Sequence, residues 1–403
     1  MLLGGSRYLL PAIKAAHELG LYVITADYLP DNYAHRFSDE YANVSITDKE
    51  AVLTVAEELQ IDGIMSYATD PGVVTAAYVA EKMGLPHSGS YESVSILQDK
   101  GRFRQFLREN NFNTPWFKTF KNLEEVMKIS DNIPFPCIVK PVDSAGSKGV
   151  SRVDKKDDLR VAVEEAFNES KTRGVILEEF IETAGHPTDT DSFSIDGELV
   201  FFSLNDQWFD SKASNPYTPA GFSWPTTMPS WAQEELKLEV QRLITLLNMK
   251  TSIYNIEARV GSDGKAYIME CSPRAGGNRL AEMLKYCTGQ DIITASVKAA
   301  IGMEVTDIKT PEYKDHWCEL ILHGYERGFF DSLFIDPQIK DKIIEEDVWS
   351  DRGEKIDEFT GANQSLGTVV FRFENAKNSE RLMSDAGNLV KIRASAADWG
   401  GIG

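Results

Sequence analysis

The feature that most limits what this chain can fold into is Asn255-Ile-Glu-Ala-Arg-Val-Gly-Ser-Asp-Gly-Lys-Ala-Tyr-Ile-Met-Glu-Cys-Ser-Pro-Arg274. Two runs that alternate polar and apolar residues flank Ser262-Asp-Gly-Lys265, and Asp-Gly is a strong signal for a two-residue hairpin turn. With Asp263 and Gly264 as the turn, Ser262 faces Lys265, Ala258 faces Met269 and Glu257 faces Glu270. One face then carries Asn255, Glu257, Arg259, Glu270 and Ser272. The other, Ile256, Ala258, Val260, Tyr267, Met269 and Cys271, reads as core. Like charges placed directly opposite on a sheet cost roughly 0.2–1 kcal/mol, so something must offset Glu257 against Glu270. Two readings fit: a Mg²⁺ ion shared with substrate phosphates, or a solvated acidic face moderated by Arg259.

The chain has 403 residues and a formal net charge of -20. That length allows two or three domains, and that charge argues against nucleic acid or an anionic membrane as a general partner. Cys137, Cys271, Cys287 and Cys318 are scattered, without zinc spacing, which suits a reducing cytoplasm. No apolar run approaches the roughly 20 residues of a membrane span, and Met1-Leu2-Leu3 is too short for a signal sequence.

Over residues 1–95, short apolar runs alternate with helical patterns, as in a parallel open sheet. Strands are expected at Leu21–Asp27 and Gly63–Tyr67, with helices at Pro11–Leu19, Lys49–Gln60 and Gly72–Met83. Asp27 ends its strand as a dinucleotide-binding acid would, but Gly4-Gly-Ser-Arg lacks the GxGxxG spacing. Gly5, Ser6, Asp27 and Asp70 either line a substrate cleft or sit in ordinary turns. A basic amphipathic helix starts near Gln98-Asp-Lys100, with Phe103, Phe106 and Leu107 inward. Pro134-Phe-Pro-Cys-Ile-Val-Lys-Pro141 is a strand that delivers Lys140 at its end, where it needs an opening or an anion. Asp143-Ser-Ala-Gly-Ser-Lys-Gly-Val150 offers backbone amides and Lys148 to phosphate oxygens, although such a loop is often only a turn. Gly174 to Ile181 is an apolar strand closed by Glu178 and Glu179.

Asp99-Lys100, Ile138-Val-Lys-Pro141, the loop Ser144 to Gly149, Leu177-Glu-Glu-Phe-Ile181, Asn255-Ile-Glu257 and Glu270-Cys-Ser-Pro-Arg274 stand in one order. No single motif is distinctive, but the series over roughly 95–303 resembles the ATP-grasp superfamily, in its biotin-carboxylase-like and L-amino-acid-ligase-like branch of carboxylate-amine ligases. The resemblance implies mixed α/β and α+β architecture: a Rossmann-like N-terminal parallel-sheet domain over 1–95, an ATP-grasp fold over 96–303 and a mainly β lid domain over 304–403. It implies that Lys100 and Lys140 contact ATP phosphates under a loop of Ser144, Gly146, Ser147, Lys148 and Gly149. Glu178, Glu179 and Ile181 would line the adenine pocket and Asp191, with Asp189 second, would take the ribose. Glu257, Glu270 and Ser272, the last standing where the family commonly has Asn, would hold one or two Mg²⁺ ions, with Mn²⁺ as a substitute. Arg274, with Lys140, would act on the transferred phosphate. A homodimer is a further implication.

The chemistry implied is ATP-dependent activation of a small, amino-acid-like carboxylate to an acyl phosphate, which an amine then displaces to leave ADP and phosphate. The alternatives are a carbamoyl-phosphate-synthase-like or biotin-carboxylase-like enzyme that phosphorylates bicarbonate, and a non-catalytic ATP-binding module. Residues 205–225 read as a long irregular loop. Trp208, Phe209, Tyr217 and Trp224 in it either build a substrate pocket, with Lys212 and Arg279 on a carboxylate, or simply pack the loop.

Overall fold

The computed structural model describes residues 1–143 and 149–396. Parallel strands Leu2–Leu3, Ile24–Asp27 and Glu40–Asn43 pair in that order. Helices Leu10–Glu18, Lys49–Glu58 and Asp70–Met83 follow the expected periodicities. The strand expected at Gly63–Tyr67 shrinks to one parallel bridge between Met65 and Leu2, because Ala68 turns back at φ 53° and the next helix begins at Asp70.

Two antiparallel sheets follow and bound a cleft. The first runs Phe117–Phe120, Val175–Glu179, Cys137–Pro141, Ser151–Val153. Cys137, Val139, Val175 and Leu177 point into one core with helix Leu159–Glu169. Period-2 alternation therefore leaves Ile138, Lys140, Ile176 and Glu178 on the opposite face. The second sheet runs Ala266–Ser272, Ser252–Val260, Thr188–Ile195, Glu198–Phe201.

The hairpin joining the first two of those strands closes differently from the expected two-residue turn. Gly264 donates to Gly261 O at 2.9 Å, Gly261 donates to Lys265 O at 2.8 Å, and Gly264 sits at φ 76°. That is a three-residue loop with glycine in the left-handed position, which shifts the pairing by one residue, so Val260 faces Ala266 and Arg259 faces Tyr267. A bulge between Glu257 and Ala258 shifts it back. Glu257 consequently faces Glu270 as expected, while Ala258 faces Ile268 rather than Met269. The core assignment changes accordingly: Ala266 and Ile268 join the cluster with Ile256, Ala258, Val260 and Cys271, and Tyr267 and Met269, though buried, do not.

Residues 205–225 are not an irregular loop. Asp206–Phe209 and Pro219–Trp224 form a hairpin on the edge of a five-stranded antiparallel sheet, continued by His316–Leu322, Gly367–Phe373 and Ile343–Val348. The partner strand lies about a hundred residues on, so no local pattern announces the pairing. A smaller sheet, Lys355–Ile356, Gly328–Ile335, Val390–Ser395, completes the C-terminal part. Among the described residues no helix is long and apolar enough to cross a membrane.

Candidate active site

Register brings acids from three strands into one row. Asp189 faces Glu257, which faces Glu270, and two residues along Asp191 faces Asn255, which faces Ser272. All six share the cleft side of the second sheet, since paired residues point to one face and the period is two. Asp189 is the member that reading the hairpin alone misses. Its strand lies sixty residues earlier, and only the Asp189-Thr-Asp191 alternation hints at a polar face.

Opposite this row stand cations from two other elements. Helix Lys100–Glu109 is capped by Asp99, whose side chain accepts from Arg102 N. Its inward stripe runs i, i+3, i+4, i+7 through Lys100, Phe103, Arg104 and Leu107. Phe103, Arg104 and Leu107 are fully or almost fully buried, whereas the expected Phe106 is only partly so. Lys100 Nζ lies 3.1 Å from Glu270 Oε1 and Lys140 Nζ 3.9 Å from the same oxygen. Lys140 is also 2.8 Å from Glu178 Oε2, and Arg104 Nε is 2.6 Å from Glu178 Oε1. Arg104 Nη1 donates to Met269 O at 2.8 Å, the residue before Glu270. On Glu257, Arg259 closes at 2.7 Å.

These contacts set the protonation states. Desolvation within the cleft opposes the charge on Glu270 even with part of its side chain exposed, but Lys100 and Lys140 outweigh it and hold the carboxyl at about 2. Burial likewise opposes the charge on Glu178, and Arg104 with Lys140 brings it down to about 2. Asp189 goes the other way, raised to about 7 by burial and then by the Glu257 charge. Glu270 is thus a carboxylate at neutral pH, and it is accessible, with 43% of its side chain exposed.

The remaining expected residues divide. Arg274 binds Asp70 through two parallel bonds, Nε to Oδ1 and Nη2 to Oδ2, both 2.8 Å. Asp70 opens helix Asp70–Met83, so this pair ties the N-terminal sheet to the cleft. Ser272 Oγ accepts from Gln98 Nε2 at 2.5 Å and donates to Asp70 Oδ1 at 3.3 Å; its hydroxyl is committed to this network. Asp191, expected at the ribose, is fully buried, with Oδ1 taking Gly276 N at 2.7 Å and Asn255 Nδ2 at 3.2 Å. It braces the glycine turn after Arg274. Glu178, expected against adenine, is the buried hub between Arg104 and Lys140. Glu179 is exposed and Ile181 half-buried, on the crossing between the two sheets. There Glu182 O accepts Ser262 N at 2.7 Å and Ala184 N donates to Val260 O at 2.8 Å. Gly149 sits at φ 67° against Pro141 and Glu169, while Ser144, Gly146, Ser147 and Lys148 lie outside the described residues.

The aromatic pocket expected from 205–225 is dispersed. Trp224 is core, Tyr217 is exposed, and Trp208 donates to Ser223 Oγ at 2.9 Å. Trp208, Phe209 and Lys212 border a cavity of about 230 Å³ with His323 and Tyr325, but Arg279 is not part of it.

Among the described residues no three His, Cys, Asp or Glu side chains converge into a metal cage. Mg²⁺ does not need one, since it binds through one or two carboxylates plus substrate phosphates and water. Glu257 and Glu270, hard oxygen donors facing each other on an open cleft, fit that demand, and the same donors suit Mn²⁺.

Residues 133–282 match the family model of the ATP-grasp domain. The fold agrees over nearly the whole length. An L-amino acid ligase from Bacillus licheniformis superposes with a TM-score of 0.79 at 20% identity, covering 98% of both chains. A phosphoribosylglycinamide synthetase from Anaerococcus prevotii gives 0.76 at 21%, again covering 98% of each. By sequence the chain is 23% identical over 298 residues to the carbamoyl phosphate synthase large chain of Thermotoga sp. strain RQ2, covering 73% of this chain and 27% of that one. The chain therefore spans about a quarter of the length of such curated relatives. Residues 133–282 carry an ATP-grasp domain, and the likeness of the whole chain to these structures is one of fold.

Proposed function

We propose that the chain is an ATP- and Mg²⁺-dependent ligase that joins a small carboxylate, amino-acid-like in character, to an amine through an acyl phosphate, releasing ADP and phosphate. The observation that carries this reading is the placement of Glu257 and Glu270 in one row directly across from Lys100 and Lys140. Phosphoryl transfer needs positioning and charge neutralisation rather than a protein nucleophile, and this cleft has the parts for both. Bound Mg²⁺ would supply charge neutralisation at the β- and γ-phosphates, held by Glu257 and Glu270. Lys140, oriented by Glu178 and Arg104, would reach the phosphates together with Lys100, and the loop 144–149 would cover them. Adenine would lie along the crossing at Glu179 and Ile181. Ribose would fall to a residue other than the buried Asp191.

Lys100 and Lys140 both pair with Glu270, and Mg·ATP would exchange these partners for phosphate and metal. Arg274 would turn from Asp70 toward the transferred phosphate. The three-part division at 95 and 303, the cytoplasmic location and the homodimer belong to this same reading. Bicarbonate is a second acceptor to try, because the sequence likeness runs to carbamoyl phosphate synthase large chains.

The test is phosphate release from Mg·ATP across amino acids, dipeptides, simple carboxylates and bicarbonate, each with and without an added amine. The reading predicts release that needs a carboxylate and an amine together. Release with bicarbonate alone would replace it by the carboxylase-like reaction, and ATP binding with no release from any pair would leave a binding module.

A further inference from the structure

One buried carboxyl is used by nothing described so far. Phe222, Glu319, Val370 and Glu345 form one row across four strands of the five-stranded sheet. Phe222 and Val370 belong to the central core, so this face is where an apolar side chain is expected at Glu319. Glu319 is instead fully buried, and neither of its carboxyl oxygens has a hydrogen-bond partner.

Its surroundings hold one cation among three acids. Arg279, at φ 59°, gives Nε to Glu282 Oε1 at 3.2 Å and Nη1 to Glu345 Oε1 at 2.6 Å and Thr368 Oγ1 at 2.9 Å. Tyr286 OH takes the other oxygen of Glu345 at 2.5 Å. Arg279 Nε and Nη1 thus go to Glu282, Glu345 and Thr368, and Glu319 is the acid left without a bond. Burial first, and then Glu282 and Glu345, push its carboxyl well up, with Arg279 opposing. Leaving such a group unmatched is costly. The cluster is not closed: 27% of the Glu282 side chain and 29% of that of Glu345 are exposed.

Three parts of the chain meet around it. Tyr8, from the N-terminal part, reaches Asn278 Oδ1 at 3.4 Å and packs edge-on against Trp349, from the C-terminal part. Gly276-Gly277-Asn278 leads directly from Arg274 to Arg279. The missing partner is a compact group with positive charge and several N–H donors. A metal ion is the poorer match, since two of the three acids are already bound to the Arg279 guanidinium.

We propose that Glu319, flanked by Glu282 and Glu345, receives the protonated amino group of the acyl-donor substrate and thereby selects carboxylates that carry an ammonium. This rests on the ligase reading. The amino group concerned is not the attacking one, because an ammonium held by its N–H bonds has no lone pair to attack an acyl phosphate. Its three donors match the two orphan oxygens of Glu319 and a neighbouring acid.

The experiment pairs each common L-amino acid with its deaminated carboxylate, L-alanine with propionate and L-phenylalanine with 3-phenylpropionate among them, and follows phosphate release from Mg·ATP with hydroxylamine as amine. At least one amino acid is expected to exceed its partner in kcat/KM by about 10–100-fold, the worth of a charge-assisted contact. Glu319→Gln, which keeps the shape, is expected to collapse that preference through KM for the amino acid and leave KM for ATP unchanged. Equal rates for amino and deaminated partners would overturn the proposal and leave the ligase reading standing. A full preference retained in Glu319→Gln would make Glu319 a protonated structural carboxyl only. Silence from every carboxylate would remove the ligase reading and this inference with it. Should Glu319→Gln fail to fold, the comparison on the unmodified protein decides alone.

Discussion

Glu270→Ala is expected to keep its fold and lose Mg²⁺-dependent phosphate release by about 10²–10³-fold, the range for removing one preorganised electrostatic group from a reacting centre. The fold should survive because Glu270 lies on the cleft face, with 43% of its side chain exposed, outside the cluster that Cys271 and Ile268 share with the helix Ser230–Leu246. Catalysis should not survive, because the residue whose Oε1 pairs with Lys100 at 3.1 Å is also the one opposite Glu257 in the row. Steady-state phosphate release at saturating Mg²⁺, with melting curves of both proteins, checks both halves. Unchanged turnover in a folded Glu270→Ala would sink the metal assignment.

Arg104→Met is expected to destabilise the protein by about 3–5 kcal/mol, as removal of one partner from a buried ion pair does. Glu178, 2% exposed, keeps only Lys140 in that variant, and the Met269 carbonyl loses a donor. The double change Arg104→Met with Glu178→Leu should recover much of that stability, since the stranded charge is gone, but not ATP affinity, since Lys140 then lacks its guide. Urea unfolding reads the first and calorimetric titration with Mg·ATP the second. Recovery of both would deny Lys140 its phosphate role. The same pair predicts an acid limb. Glu178 falls from 4.5 to about 2 on folding, so its contribution is complete above about pH 4.5 and is lost as pH drops toward 2. Unfolding curves of Glu178→Gln should lack that portion of the acid dependence.

What was legible in the sequence follows from what is local. Glu257 opposite Glu270 follows from a turn and an alternation within twenty residues, and the pairing stands with a different turn type, because a bulge undoes the shift that the three-residue loop introduces. Lys100 and Arg104 were equally readable in principle: both fall on the i, i+3, i+4, i+7 stripe with Phe103 and Leu107. Arg104 stands in a basic run, which by itself suggests a solvated face. The rest depended on strands meeting from far apart. Asp189 enters the acid row only when Thr188–Ile195 pairs with Ser252–Val260. The hairpin 206–224 reads as loop until His316–Leu322 is beside it. Asp191 carried the look of a ribose acid, and only the approach of Gly276 shows it turned inward. Glu319 sits in an ordinary apolar strand pattern, and its isolation is visible only once Arg279 is seen to be spent elsewhere.

The most direct measurement of the central claim is trapping of the acyl phosphate. Incubating the protein with Mg·ATP, a panel of amino acids and hydroxylamine should give a hydroxamate of one carboxylate class, in step with ADP and phosphate and absent from Glu270→Ala. ATP consumption that proceeds without any hydroxamate, and unaltered by Glu270→Ala, would contradict a carboxylate-activating ligase built on the row facing Lys100 and Lys140.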